Sequence, residues 1–174
     1  MNTAEAVFDI LKNYIDTVFF VPGGGSAYLV DALGRSGLKA VSCLHEQGAG
    51  FAALGYAQIR NGLGVCLVTS GPGATNAVTP CAAAWTDSVA VLFISGQARS
   101  DTLIGDSGLR TRGIQEVDII PVVETITKRA YQMVKGDGKD DISKWLTDII
   151  DDGLSGRRGP CWLSIPLDVQ AEEI

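Results

Sequence analysis

Among the side chains of this sequence, Glu46 has the surroundings most suited to acid–base chemistry. It follows an apolar run, Lys39 to Leu44, and opens a stretch in which Gly48, Ala49, Gly50, Ala52, Ala53, Gly55 and Ala57 carry almost no side-chain bulk. A helix of that composition has a small-residue surface suited to close packing against a ligand or a second element. A carboxylate at a helix start also has a simpler role, a favourable contact with the positive end of the helix dipole. Taken alone, Glu46 fits that simpler role better.

Glycine-rich turns recur around it in sequence. They are Pro22-Gly23-Gly24-Gly25-Ser26, Ser70-Gly71-Pro72-Gly73-Ala74-Thr75-Asn76, and Gly96-Gln97. Consecutive glycines let backbone come close to a ligand or another chain, and they equally serve a tight strand-to-helix turn. Gly71-x-Gly73-x-x-Asn76 invites a dinucleotide reading, because helix amino termini attract phosphate. The match is poor: the last position is Asn rather than Gly or Ala, Pro72 stiffens the turn, and Ser95-Gly96-Gln97 stands where an acidic ribose-binding residue is wanted. The single histidine and the four cysteines suggest no metal centre. Cys43, Cys66, Cys81 and Cys161 stand singly among apolar or small residues without a CxxC pair, as reduced packing residues of a cytosolic protein do.

These groups need a scaffold. Apolar runs of β-branched and aromatic character recur at Thr17 to Val21, Lys39 to Leu44, Gly64 to Thr69, Val89 to Ser95, Lys128 to Val134 and Pro160 to Ile165. Helical segments are predicted from Asn2, whose spacing to Glu5 is that of a capping box, to about Tyr14, and over Ala27 to Leu33, Gln47 to Arg60, Ala74 to Trp85 and Asp140 to Asp152. Alternating strands and helices imply right-handed crossovers and a sheet covered on both faces. The expected fold is an α/β, three-layer, doubly wound domain with a mostly parallel six-stranded sheet. Gly96 to Pro121 is predicted as a long functional loop followed by a short helix. In such a sheet ligands bind beyond the carboxyl ends of the strands, where Glu46 and the glycine turns fall.

With 174 residues, 46% apolar and 20% charged, the chain suits one globular domain, residues 1 to 174, and leaves no case for disorder. A net charge of -6, with basic residues scattered except for Arg157 and Arg158, argues against nucleic acid as a partner. The apolar runs are far short of the ~20 residues of a membrane helix. Met1 to Phe8 contains Glu5 and no basic run before an apolar stretch, unlike a signal peptide, so a cytoplasmic location is expected.

Taken in order, Phe20-Val-Pro-Gly-Gly-Gly25, His45-Glu-Gln-Gly-Ala-Gly-Phe-Ala-Ala53, Thr69-Ser-Gly-Pro-Gly-Ala-Thr-Asn76, Ile94-Ser-Gly-Gln97 and Gly159-Pro-Cys-Trp-Leu-Ser-Ile-Pro166 resemble the amino-terminal pyrimidine-binding domain of acetolactate-synthase-like, thiamine-diphosphate-dependent enzymes. The resemblance runs from about Glu5 to Gln170 and reverses the reading of Glu46. It implies that Glu46 is catalytic: the family glutamate hydrogen-bonds N1′ of the cofactor's aminopyrimidine, favouring the imino tautomer that takes the proton from the thiazolium C2. That role asks for a carboxyl sheltered from water, where burial favours its protonated form.

The same resemblance implies that Gly24 and Gly25 border the cofactor, that Pro72 and Asn76 lie against its pyrimidine, and that Gln115 faces the reaction centre. Gln97 has the family's context and an equally good structural role at its strand end. Between Gly105 and Gln115 the loop is longer than acetolactate synthases have, with Ile114 where an aromatic residue is usual. Its Arg110 and Arg112 are candidates for holding a substrate carboxylate. The implied activity is C–C bond cleavage or formation on a 2-oxo acid; the alternative is a non-catalytic relic that dimerises or binds a nucleotide, in which Glu46 has no reason to persist.

Family members carry a middle domain and a second cofactor domain, which holds the diphosphate through Mg²⁺ with a Gly-Asp-Gly motif and a downstream Asn. Gly136-Asp137-Gly138 has the letters, but no asparagine follows it in the chain. This sequence is therefore expected to form half of a thiamine diphosphate site, inactive alone. Its expected partner is the diphosphate-binding domain of another subunit in a homodimer or heteromer. The ending from Asp168 to Ile174, just past the matched region, favours an excised domain over a split subunit or truncated product.

Overall fold

The central apolar runs become strands sandwiched between helices, where unbroken hydrophobic sequence suits both faces. A computed structural model describes all residues, 1–174. Its strands are β1 (Thr17–Phe20), β2 (Lys39–Ser42), β3 (Gly64–Val68), β4 (Val91–Gln97), β5 (Arg129–Gln132) and β6 (Cys161–Pro166). They form one sheet in the order β2-β1-β3-β4-β6-β5, every neighbouring pair parallel. β3, β4 and β6 are buried along their whole length, whereas the edge strand β2 exposes Lys39, Ala40 and Ser42.

Side-chain alternation splits the core in two. Val65 and Leu67 of β3, Leu92 and Ile94 of β4 and Leu163 of β6 meet the helices α1 (Thr3–Leu11), α2 (Ala27–Arg35) and α7 (Lys139–Leu154). Cys66, Val68, Val91, Phe93 and Trp162 face the opposite way. They meet α3 (Glu46–Arg60), α5 (Val78–Asp87) and α6 (Ile119–Val123). The Trp162 ring stacks on Phe93 at 5.2 Å and its indole N–H donates to Ser95 Oγ at 3.0 Å, so this large side chain is buried without an orphaned donor. Asn2 and Glu5 form the capping box that starts α1.

The predicted helix over Ala74 to Trp85 is two: α4 (Pro72–Asn76) and α5, joined at Ala77. Pro80 explains the restart, since a residue without an N–H is tolerated in a first turn. The short α8 (Leu167–Gln170) was not expected from the sequence. No helix is long and apolar enough to cross a membrane. The strand order changes direction between β1 and β3, the point where a doubly wound sheet opens a crevice at its carboxyl ends.

Candidate functional site

At that crevice the turns after β1, β3 and β4 are closely nested, glycine backbone against side chains and, at Gly96, against backbone. A Cβ on Gly23 would lie 2.5 Å from Thr69 Cβ, one on Gly25 2.4 Å from Ser70 Oγ, and one on Gly96 2.0 Å from the Gly25 carbonyl oxygen. Such approaches are possible only for glycine. The Gly25 N–H donates to Thr69 Oγ1 at 3.0 Å, and the buried Gln170 side chain donates to the carbonyls of Gly25 and Ile165, each at 2.8 Å. Gly24 differs from its neighbours: it is exposed, and nothing lies within 4 Å of where its Cβ would be.

Glu46 stands one turn away, at the first residue of α3. His45 caps the helix, its Nδ1 accepting from the Gln47 N–H at 3.2 Å. The Glu46 side chain is half-buried, and its Oε2 accepts from Asn76 Nδ2 at 3.0 Å. Its Oε1 makes no hydrogen bond within the chain and points past Gly73, whose absent side chain would come to 3.4 Å of it. The carboxyl is thus oriented by one amide and open on its other oxygen. Pro72 is exposed at the first position of α4, where its fixed φ and missing N–H cost nothing.

A cavity of about 380 Å³ lies beside these turns, bordered by Gly24, Gly25, Ser70, Gln97, Arg112 and Gln115 among others. It brings together Gly24, Gly25, Gln97, Arg112 and Gln115, all singled out from the sequence. Glu46, Asn76 and Pro72 lie outside its wall, linked to it through Ser70 and Gly71, and exposed Arg110 lies outside both groups. Gln97 is buried, with Nε2 donating to Val117 O at 2.7 Å and Oε1 accepting from the Ala98 N–H at 2.9 Å; its polar atoms serve the chain itself.

The loop that carries Arg112 and Gln115 is held from within by Glu116. This buried carboxylate accepts the backbone N–H groups of Ile104 at 2.5 Å, Arg112 at 3.2 Å and Gly113 at 2.8 Å. Gln115 itself sits at φ 52°, its carbonyl oxygen 2.0 Å from where a Gly71 Cβ would stand. Glu116, Thr69 and Gln170 hold the site; in the sequence Thr69 stands out only as the first residue of a family motif and Glu116 only as an acid next to Gln115.

Elsewhere the chemistry is quiet. All four cysteines are free thiols; burial pushes Cys66 and Cys81 far up and Cys161 up to about 11. Gly136 to Gly138 form a turn whose Gly138 caps α7, and burial, then the charges of Asp141 and Glu172, raise the Asp137 carboxyl above its ordinary value. No His, Cys, Asp and Glu side chains gather in threes that could hold a metal ion.

Comparison with known proteins agrees with this geometry. Residues 1–122 match the family described as thiamine pyrophosphate enzyme, N-terminal TPP binding domain. The acetolactate synthase isozyme 2 large subunit of Escherichia coli strain K12 is 39% identical over 171 residues, 98% of this chain and 30% of the relative. The acetolactate synthase large subunit of Corynebacterium glutamicum is 40% identical over 176 residues, 100% of this chain and 27% of the relative. The chloroplastic acetolactate synthase of Arabidopsis thaliana is 39% identical over 159 residues, 91% of this chain and 22% of the relative. The chain thus spans less than a third of the length of these curated relatives. With an all-parallel sheet, glycine turns nested at its carboxyl ends and a family match over most of its length, this chain belongs to the amino-terminal TPP-binding domains of thiamine pyrophosphate enzymes.

Proposed function

We propose that this chain is the pyrimidine-binding half of a thiamine-diphosphate-dependent enzyme acting on 2-oxo acids, as a decarboxylase, lyase or acetolactate-synthase-like carboligase, with Glu46 activating the cofactor. One observation carries the reading: the Glu46 carboxyl is held by Asn76 through Oε2 while Oε1 stays open beside Gly73. An aminopyrimidine is a weak base that needs one oriented carboxyl and close, unobstructed backbone, and these residues fit it. When bound, the cofactor supplies the carbon nucleophile and electron sink that 2-oxo acid chemistry requires.

The chain's own residues then have separate tasks. Glu46 Oε1 would share a proton with the cofactor's ring nitrogen, and Asn76 fixes the carboxyl's rotation. Gly24 would leave room for the cofactor and Gly25 would border it, Pro72 and Asn76 would lie against its ring, and Gln115 would face the reaction centre. Arg112, on the cavity wall, suits a substrate carboxylate better than Arg110, which lies away from it. No three His, Cys, Asp or Glu side chains gather to hold Mg²⁺. The reading assigns the diphosphate and Mg²⁺ to a diphosphate-binding domain of another subunit in a cytoplasmic homodimer or heteromer.

Two measurements test this. In the enzyme completed by its diphosphate-binding domain, Glu46→Gln slows exchange of the cofactor C2 proton by roughly 10²–10⁴-fold, the range of a lost acid–base group; an unchanged rate removes Glu46 from the mechanism. The 174-residue chain alone binds thiamine diphosphate weakly and turns over no 2-oxo acid. Tight, Mg²⁺-dependent binding by calorimetry overturns the division into halves.

A further inference from the structure

Across the sheet from Glu46, at the amino ends of β4, β5 and β6, a second cavity of about 360 Å³ is lined by Trp85, Thr86, Lys128, Arg157 and Arg158. Its three cations are bonded only to neutral acceptors. Lys128 Nζ donates to the Ser155 carbonyl at 2.8 Å and Arg157 Nε to Ser88 Oγ at 2.8 Å. Arg158 NH1 donates to the Asn61 carbonyl at 3.0 Å and to Asn61 Oδ1 at 2.7 Å. None of the three forms an ion pair, although the chain carries a net charge of -6. Of the acids nearby, Asp152 pairs with Arg129 at 2.7 Å, while Asp87 shares the neighbouring cavity with Ser88, Arg157 and Arg158 and forms an ion pair with neither arginine.

These bonds anchor the cations without exhausting them. NH1 and NH2 of Arg157 and Nε and NH2 of Arg158 have no partner in the chain. Two free guanidinium edges and an ammonium match a dianionic phosphate better than a carboxylate, because three cations and two paired-donor edges call for more charge and more acceptor oxygens than one carboxylate carries. The remaining wall is aromatic. Trp85 is 40% exposed, and Gly159 lies beneath it and Lys128, at 3.6 Å and 3.1 Å from where its Cβ would be, so a side chain there would press on both. An exposed indole face takes a flat ring by stacking. The volume is at the small end of the roughly 300–1,000 Å³ of ligand pockets, which suits one nucleoside rather than two.

The geometry points to a binding site for a phosphate attached to a heteroaromatic ring, the chemical class of a mononucleotide, with Arg157 and Arg158 on the phosphate, Lys128 adding charge and Trp85 on the ring. The site shares no residue with the Glu46 turn and stands or falls independently of it.

The test is titration of the chain with adenosine monophosphate, with inorganic phosphate and with adenosine, read by calorimetry and by tryptophan fluorescence at low salt. The nucleotide binds saturably and at least about tenfold more tightly than either fragment, and its affinity falls as salt rises. Arg157→Ala and Arg158→Ala each weaken it about tenfold, Arg157→Lys less, and Trp85→Leu abolishes the fluorescence change, all with unchanged melting temperatures. Absence of saturable nucleotide binding, or equal binding by the Arg157→Ala/Arg158→Ala double variant, overturns the proposal. Phosphate binding as tightly as the nucleotide overturns the ring-binding part and Trp85's role in it.

Discussion

At the carboxyl ends of the strands backbone lies on backbone: Gly96 against Gly25, Gly71 against Gln115, with Gly25 wedged over Ser70. At the amino ends the cavity wall is made of long side chains, Lys128, Arg157 and Arg158, whose heads reach neutral acceptors, with the Lys128 stem lying over Gly159. The two constructions answer differently to change. The nested glycines cannot yield to one added methyl group, so at Gly25, Gly71 and Gly96 the shape of the carboxyl-end site and the fold's stability are the same property. Solvated side chains can be shortened with little effect on folding, so at the amino ends ligand affinity and stability are separable.

The largest expected effect tests that contrast directly. Gly71→Ala places a Cβ 2.0 Å from the Gln115 carbonyl oxygen at a φ of 56°, where L side chains are rare. Clash and backbone strain together cost about 3 kcal/mol or more, read as a lowered midpoint in urea unfolding. Arg157→Ala, at the other end, changes the same midpoint by no more than about 0.5 kcal/mol. Similar losses for the two variants break the comparison.

Next in size is Glu116→Gln. Replacing the buried carboxylate leaves three backbone N–H groups facing an amide that offers one acceptor oxygen, at a cost of about 1–3 kcal/mol. Hydrogen exchange of the Ile104, Arg112 and Gly113 amides accelerates, while the amides of β3 and β4 stay protected. Equal protection in the variant means that the loop is held by something other than Glu116.

The strands were legible because burial on both faces writes itself as unbroken apolar sequence, as in Val89 to Ile94, and because Asn2 and Glu5 advertise a helix start within four residues. The family motifs marked Glu46 and the turns for the same reason: each is a local string of residues. The parts that hold the site were illegible because their partners are distant. Gln170 reaches the Gly25 carbonyl across 145 positions and Thr69 reaches the Gly25 N–H across 44, and no local pattern encodes either contact. The interruption at Ala77 was a local signal passed over, since Pro80 marks it. Which glycines the fold needs, and which it leaves free, required the packing itself.

Acid should loosen the carboxyl-end site through Asp168. Burial pushes this carboxyl up, but the N–H and hydroxyl of Ser100, and then Lys135, outweigh it and hold the group below its ordinary value of 3.8. A lowered folded value means that the ionised form stabilises the fold. That contribution is complete above the ordinary value and is lost as pH falls through the lower folded one. Urea midpoints measured from pH 5 downward therefore drop in this window, and Asp168→Asn flattens that part of the curve. A curve identical to that of the unsubstituted chain shows that Asp168 is not its source.

The smallest expected effect on stability is the sharpest probe of what the turns are for. Gly25→Ala drives a methyl group to 2.4 Å from Ser70 Oγ, whereas Gly24→Ala meets nothing within 4 Å and requires no unusual φ. The chain itself gives no reason for glycine at 24. Gly24→Ala should leave the unfolding midpoint within about 0.5 kcal/mol of the unsubstituted chain. In the enzyme completed by its diphosphate-binding domain it should nonetheless weaken thiamine diphosphate binding, because a methyl group would then occupy room meant for the cofactor. Full cofactor affinity in Gly24→Ala, read by calorimetry, would return Gly24 to an ordinary turn residue and leave only Gly25 of this pair bordering the cofactor.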